Sequence, residues 1–203
     1  MTPILLNQLR SIITSPLISI FCEKFEENEI LLRKSIDTSI CTILIGLENI
    51  IDNTILYDKI IESITFTEFY RTIEYENGKL SSINYSFEQE GFIPLNLIFS
   101  AKKGRISEMI SNEVGVKSET AGAILNFAVM LILSHFKNEK QKAKIIQNDL
   151  NSEKKAILST VPEGIRVILG YSNFECDDTI YSTSNTLVKP NLRSHFLNKI
   201  FKL

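Results

Sequence analysis

The chain has 203 residues, of which 44% are apolar. This is enough for one domain of ordinary size with a well-developed core and an appendage. Because 22 Lys and Arg residues nearly balance 24 Asp and Glu residues, the global charge does not steer the protein toward nucleic acid or an anionic membrane. We therefore expect no nucleic-acid partner, and any basic site must be local.

Cysteine use and the first residues both favour a reducing, cytoplasmic location. Cys22, Cys41 and Cys176 are too few and too scattered for a disulfide framework. The first four residues lack the basic region and cleavage site of a signal peptide. The longest apolar run, 121–133, is shorter than the roughly 20 residues that a membrane span needs. We interpret it as a helix buried on all sides.

Apolar residues in the first half recur at the spacing of one helical face. The spacing predicts helices over 4–13, 15–28 and 28–47, and a fourth after residue 53. Ser15 is the expected cap of the second helix, with Pro16 at the first helical position. Asp52 or Asn53 is the expected cap of the fourth.

Residues 65–100 allow two interpretations. The apolar residues from Phe66 to Ile73 fit a helix, whereas Asn77-Gly78 is the dipeptide preferred in two-residue hairpin turns. We favour a helix followed by a turn, and a hairpin stays open as the alternative. A short apolar segment, 92–99, then precedes a basic loop.

The second half is more regular. The pattern predicts a helix that Gly115 ends by adopting a positive φ and a buried helix that Ser118 caps and that ends near Phe136. A charged stretch, 137–144, should be exposed. A further helix capped by Asn151 or Ser152 and a last helix before Gly170 should follow.

Polar residues dominate 171–190, which predicts a flexible linker. An amphipathic helix rich in Lys and Arg is expected over 191–203. A helix of about 12 residues is marginal alone in water, so it should dock on a partner. The residues predicted to contact that partner are Leu192, Arg193, Phe196, Leu197, Lys199, Ile200 and Phe201.

Three surfaces could receive this tail. We favour a protein surface, either a groove on the chain's own domain or another protein, including a second copy of the chain. An anionic membrane is the least favoured partner, because so short a helix binds weakly.

The two central helices resemble each other. At an offset of 89 positions, Ile40 aligns with Val129 and Leu44 with Leu133, and a short amphipathic helix precedes each central helix. We predict two related helical hairpins whose central helices pack together. The alternative, that any two buried helices would align in this way, stays open.

Four segments, 4–9, 34–47, 118–134 and 156–165, resemble the YidB-like family of bacterial domains of unknown function. The last contains Val161-Pro162-Glu163-Gly164-Ile165. Together they follow the family's order over about residues 3–170. Cys41 and Met130 depart from it, since relatives often carry Pro there.

The resemblance implies a compact all-α domain over 1–170, and the composition adds the linker 171–190 and the tail 191–203. It implies no catalytic residue, because the family has no established activity.

No side-chain pattern predicts catalysis, a cofactor or a metal site. His135 and His195 accompany no nucleophile motif, the His and Cys residues share no ligand spacing, and 175–178 lacks the alternation of a calcium loop. The basic loop 102–105 has the charge to contact an anion at a helix start but lacks the glycines of a phosphate loop.

Two function classes follow. The first is a non-catalytic helical interaction or scaffold module, which we favour. The alternative is a small-ligand-binding protein or a carboxylate-dependent enzyme that uses Glu23, Glu26, Glu27 and Glu29. A buried carboxylate with a raised pKa would favour the alternative, and an exposed apolar groove would favour the first.

Overall fold

The computed structural model describes residues 4–63, 73–76, 79–83, 87–138 and 143–172. The first half contains α1 (Ile4–Ile12), α2 (Ser15–Phe25), α3 (Glu29–Glu48) and α4 (Thr54–Glu62), then strands β1 (Ile73–Glu76) and β2 (Lys79–Ile83). The second half contains α5 (Phe87–Glu90), α6 (Phe92–Phe99), a 3-10 turn (Ser100–Lys102), α7 (Lys103–Val114), α8 (Ser118–Asn138), α9 (Ala143–Thr160) and α10 (Glu163–Leu169). The predicted all-α class is confirmed, with one small hairpin among the described residues.

The core is built around α3, which packs against both α8 and α9. Ile40 on α3 and Val129 on α8, both expected at the centre, are 1% and 0% exposed. Among the described residues, α8 is the helix long and apolar enough to cross a membrane, and 78% of its apolar window is buried inside the domain. Packing in the core therefore accounts for its composition.

The helices α3 and α9 run in opposite directions. Lys154 lies 2.8 Å from Glu48, while Thr160, further along α9, lies beside Cys41, which is earlier on α3. Residues later on α9 therefore lie beside residues earlier on α3, as expected for antiparallel helices. This arrangement places the end of α9 beside the middle of α3.

The connections into α3 and α8 have matching bounds. Glu26 ends α2 with a φ of 52°, and Gly115 ends α7 with a φ of 90°, as predicted for Gly115. Glu29 begins α3 and Ser118 begins α8, so each pair of equivalent residues is 89 positions apart. These bounds agree with the offset found in the sequence, while the relationship of the two hairpins stays a prediction.

The predicted cap of α4 is correct, whereas Ser118, the predicted cap of α8, is the first residue of that helix. Asn28 and Asn53 cap α3 and α4 by accepting backbone amides at 2.8 and 3.1 Å. Ser15, however, is the first residue of α2, and Thr14 is its cap, with Oγ1 3.3 Å from the amide of Leu17. Both hydroxyls suit a cap, so composition alone could not separate neighbouring positions.

The predicted helix start at Asn151 or Ser152 is wrong. Helix α9 begins at Ala143 and continues through both residues. Ile146 and Leu150, 0% and 1% exposed, extend the buried face by two turns, and this packing outweighs the local capping preference. Residues 139–142 of the charged stretch lie outside the described residues.

Residues 73–76 and 79–83 adopt the hairpin alternative. Strands β1 and β2 are antiparallel, and the backbone pairs Ile73 with Ile83 and Glu76 with Lys79. The helix expected to extend through Ile73 is therefore wrong at that residue, because β-branched and aromatic residues around a two-residue turn favour strands. Phe66 and Asn77-Gly78 lie outside the described residues.

Candidate functional site

The tail residues predicted to bind a partner, Leu192, Arg193, Phe196, Leu197, Lys199, Ile200 and Phe201, lie outside the described residues, as do His195 and 175–178. Two concave surfaces in the described part of the chain are lined by cationic side chains. One lies between α1, α2 and α3, and the other lies along α9.

The first surface, which we call the α1–α3 groove, has a volume of about 380 Å³. Its apolar floor is formed by isoleucines from three elements, and cationic side chains stand at its edge. Its lining residues are Arg10, Ile13, Ile18, Arg33, Lys34, Ile36, Asp37 and Ile40. The volume is within the usual range for ligand and peptide sites.

Helical spacing brings these side chains together. Arg33, Asp37 and Ile40 follow one another at intervals of four and three residues, so they share a face of α3. The turn after α1 supplies Ile13, which is half-buried and is the accessible part of the floor. A partner side chain would therefore meet apolar surface between charged edges.

Three cations surround the groove, and two of them pair with carboxylates. Arg10 binds Asp37 through two hydrogen bonds, of 2.5 and 2.7 Å, and this pairing raises the pKa of the Arg10 guanidinium. Arg33 donates to Glu29 at 2.8 Å. The three cations thus exceed the two acids by one charge.

Lys34 contributes this excess charge. Its Nζ donates to the backbone carbonyl of Glu113, at the end of α7, over 3.4 Å. A neutral carbonyl does not compensate the ammonium charge as a carboxylate would. Lys34 is exposed, so it remains able to attract an acidic group from a partner.

The second surface, which we call the α9 cleft, has a volume of about 560 Å³. It follows the outer face of α9 and ends where the described chain ends. The lining residues are Asn151, Lys154, Lys155, Leu158, Gly170, Tyr171 and Ser172.

Tyr171 fastens the end of α10 to the end of α3. Its hydroxyl donates to Glu48, which also accepts from Lys154 at 2.8 Å, and it lies 2.7 Å from the side-chain oxygen of Asn49. Burial and this contact with Glu48 raise the pKa of the Tyr171 hydroxyl. Lys154 also lies over the Tyr171 ring, 4.9 Å from its centroid. These contacts link the residue after α10 to the end of α3.

The acidic residues considered for catalysis have structural contacts instead. Glu27 accepts the amide of Lys117 at 2.7 Å and the hydroxyl of Thr120 at 3.0 Å, so it supports the start of α8 as an N-terminal acid should. Glu26 pairs with Lys117 at 3.4 Å. Glu29 pairs with Arg33, as described above, and Glu23 is exposed on α2. These carboxylates do not converge on either concave surface.

The buried carboxylate of the described chain is Glu153, which the sequence analysis missed. Glu153 is 7% exposed, and its two oxygens accept the backbone amides of Leu5 and Leu6 at 2.7 and 3.0 Å. It therefore caps α1 from a position far away in the sequence. Its place on the buried face of α9, in line with Leu150 and Ile157, was the available signal.

The segment 102–105 was expected to be a loop, and this expectation is wrong, because Lys102 ends the 3-10 turn and Lys103 begins α7. Lys103 has its Nζ 3.7 Å from the centroid of the Phe92 ring, and burial lowers its pKa. Phe92 and Ile93 are about half exposed, at 53% and 56%. The contact with the Phe92 ring and the position at the first residue of α7 explain where Lys103 lies, so its position is no evidence for a bound anion.

The remaining candidate residues lie inside the helices. Cys41 is buried, which raises the pKa of its thiol to about 12, and Cys22 is half-buried. His135 lies in the last turn of α8. Across the described ranges, no group of three or more His, Cys, Asp or Glu residues could hold a metal ion.

The fold and the two surfaces define a helical domain with a cationic groove over an apolar floor and a second cleft, lined by lysines, along α9. No known protein family, curated protein or solved structure matches the chain. The resemblance to the YidB-like family thus stays a prediction that depends on the four sequence segments.

Proposed function

We propose that the chain is a non-catalytic helical interaction module that binds an acidic partner protein through the α1–α3 groove. The observation that carries the proposal is the excess cation, Lys34, beside Arg33 over a floor of isoleucines. On such a surface the apolar floor can contact apolar partner side chains, and the cations favour a partner with acidic residues. Both features are common in protein interfaces.

Each part of the groove has a separate role in this proposal. An apolar partner side chain covers Ile13, while acidic partner residues approach Lys34 and the exposed part of the Arg33 guanidinium. Arg10 and Asp37 already satisfy each other, so they shape the groove rather than attract the partner. Edge charges of this kind raise the association rate and select the partner's charge.

The predicted tail fits the same partner. Lys189 and three further cations of 191–203 give it four positive charges, and both described concave surfaces are also lined by Lys or Arg. Like charges oppose docking of the tail on these surfaces. We therefore favour an acidic partner for the tail over self-docking, with its apolar face and basic residues forming a second contact.

The family resemblance, a bacterial origin and a cytoplasmic location belong to the same proposal. They are supported by the four sequence segments and by the small number and wide scatter of the cysteines. The alternative, a small-ligand-binding protein or an enzyme using Glu23, Glu26, Glu27 and Glu29, has weaker support, because Glu26, Glu27 and Glu29 have protein partners in the described chain.

A photo-crosslinker placed at Ile13 in the full chain tests the proposal. We expect it to capture a protein whose contact region is acidic, and the purified partner should then bind the chain with a salt-sensitive affinity. The double variant Arg33→Glu, Lys34→Glu should weaken binding about tenfold. The control variant Lys59→Glu, at an exposed position of α4, should not.

Two further results decide between the options. Deletion of 186–203 should lower partner affinity at unchanged thermal stability, whereas a drop in thermal stability would indicate self-docking. A loss of mass in light scattering would identify a second copy as the partner, and lost sedimentation with anionic vesicles would identify a membrane. Equal binding by the double variant and by Lys59→Glu would refute the groove.

A further inference from the structure

We infer that the acidic partner presents an amphipathic α-helix to the α1–α3 groove, and that Ile30, outside the groove lining, is a second apolar contact for this helix. The inference rests on the proposed function, because it concerns the same surface, and it adds the partner's secondary structure and one further residue. Ile30 is the second residue of α3 and is 75% exposed. Its amide donates to Asn28, the cap of α3, at 2.8 Å, so capping holds the turn that carries it.

Ile30 lies on the face of α3 that forms one side of the groove. Arg33, Lys34 and Asp37, which line the groove, follow it at intervals of three, four and seven residues. Residues at these intervals share one face of an α-helix. Ile30 therefore extends the groove surface by about one turn toward the start of α3 and adds an apolar side chain beyond the cations.

Two contacts fix where the turn between α1 and α2 lies along α3. Arg10 of α1 binds Asp37, and Arg33 donates to the hydroxyl of Ser15, the first residue of α2, at 3.5 Å. The turn therefore lies beside the stretch of α3 between its two contact residues. Ile13, in this turn, is thus about 5–10 Å along the axis of α3 from the level of the second residue of that helix.

The surface combines two accessible apolar side chains, Ile30 and Ile13, with the cations Arg33 and Lys34 beside them. Lys34 has a neutral carbonyl as its partner, so it supplies the charge that selects an acidic partner. A partner that covers both isoleucines needs two apolar residues about 5–10 Å apart and acidic residues next to them. An α-helix with an apolar stripe and acidic flanks has this arrangement.

Backbone hydrogen bonding favours a helix over an extended partner segment. The groove is lined by residues of α1, α2 and α3, with Ile13 in the turn, and backbone groups inside a helix bond one another. The groove therefore offers few backbone partners to an extended segment, whose own amides and carbonyls would be costly to bury on an isoleucine floor. A helix satisfies these groups internally, as in other complexes in which a helix binds a groove.

Photo-crosslinking residues placed singly at Ile30 and at Ile13 in the full chain test the inference. We expect both positions to capture the same protein from an extract of the source cells. Peptide mass spectrometry should place the two crosslinked partner residues about three to seven positions apart, the spacing that covers 5–10 Å in a helix, with Asp or Glu close by. An extended segment covers this distance in about one to three residues, so a separation below three or above about seven residues would overturn the inference. A crosslinker at Ile55, which is 70% exposed on α4, is the matched control and should not capture this protein.

Affinity measurements with the purified partner separate the apolar contact from the charges. Ile30→Ser should weaken binding about tenfold and leave the salt dependence of the affinity unchanged, because it removes no charge. The double variant Arg33→Glu, Lys34→Glu should reduce that salt dependence. Ile55→Ser is the control and should bind as the native chain does. Because both isoleucines are exposed, both serine variants should keep the native thermal stability.

The outcomes separate this inference from the proposed function. Capture at Ile13 without capture at Ile30, or equal binding by Ile30→Ser and Ile55→Ser, would overturn the inference and leave the groove as the binding site. Capture at neither position, or at Ile30 alone, would refute the groove itself and with it the proposed function.

Discussion

Removal of the Glu153 carboxylate should reveal how far the fold depends on contacts between its ends. Leu5 and Leu6, whose amides it accepts, are 2% and 1% exposed, so water has little access to these amides in the folded chain. A hydrogen bond to a charged group contributes about 1.5–3 kcal/mol, and an unsatisfied buried donor costs about 1–3 kcal/mol. Because desolvation of the carboxylate offsets part of this gain, we expect Glu153→Ala to lower the free energy of unfolding by about 3 kcal/mol.

Urea denaturation followed by circular dichroism measures this loss at neutral pH. Glu153→Gln keeps one acceptor and the side-chain volume, so it should lose about half as much. Ser152→Ala, on the exposed side of the same helix, is the control and should change stability by less than about 0.5 kcal/mol. A loss below about 1 kcal/mol for Glu153→Ala would mean that the α1 amides find water, and the capping argument would be refuted.

Two further predictions concern pH and packing. Burial raises the pKa of the Cys41 thiol from 9.0 to about 12. Above pH 9 the unfolded chain therefore releases this proton while the folded chain retains it, and stability falls as pH rises. Between pH 8 and 10.5 the native chain should lose about 2 kcal/mol more than Cys41→Ala in urea titrations, and equal losses would contradict the buried thiol. A Cβ at Gly91 would lie 2.6 Å from the backbone oxygen of Asn126 on α8, so Gly91→Ala should lower stability by about 1–3 kcal/mol. Gly104→Ala, which has nothing within 4 Å, should leave stability unchanged or raise it, and thermal melts of the two variants must differ in this direction.

The presence of most helices was predictable, because a helix face that packs against other helices is apolar and therefore leaves a periodic pattern in the sequence. The stripe through Ile36, Ile40 and Leu47 is apolar in the sequence because α8 and α9 cover it. Helix starts were less predictable. Thr14 and Ser15 are chemically equivalent caps, and α9 passes through Asn151 and Ser152 because tertiary packing stabilises the helix around them.

The surfaces were less predictable than the helices. Arg10 and Lys34 lie on different helices, and no local pattern relates their positions to the isoleucine floor. The acidic residues near Glu27 were noticed as a cluster, but their role required knowing that Lys117 lies beside them. The sequence pattern shows which face of a helix a residue occupies. Only the fold shows which residues that face contacts.

Contacts between distant turns explain why the two halves behave as one structure. Lys34, on α3, donates to the carbonyl of Glu113 at the end of α7, and Lys117, before α8, donates to the carbonyl of Phe25 at the end of α2 over 3.0 Å. The last carbonyl oxygens of a helix have no donor within that helix. Each half of the chain thus supplies a lysine donor to such an oxygen in the other half. A lysine near such an end also interacts favourably with the helix dipole. Because the exchange is reciprocal, loss of either lysine should loosen the same junction, and Lys34 is at once a structural link and the cation that the proposed partner would meet.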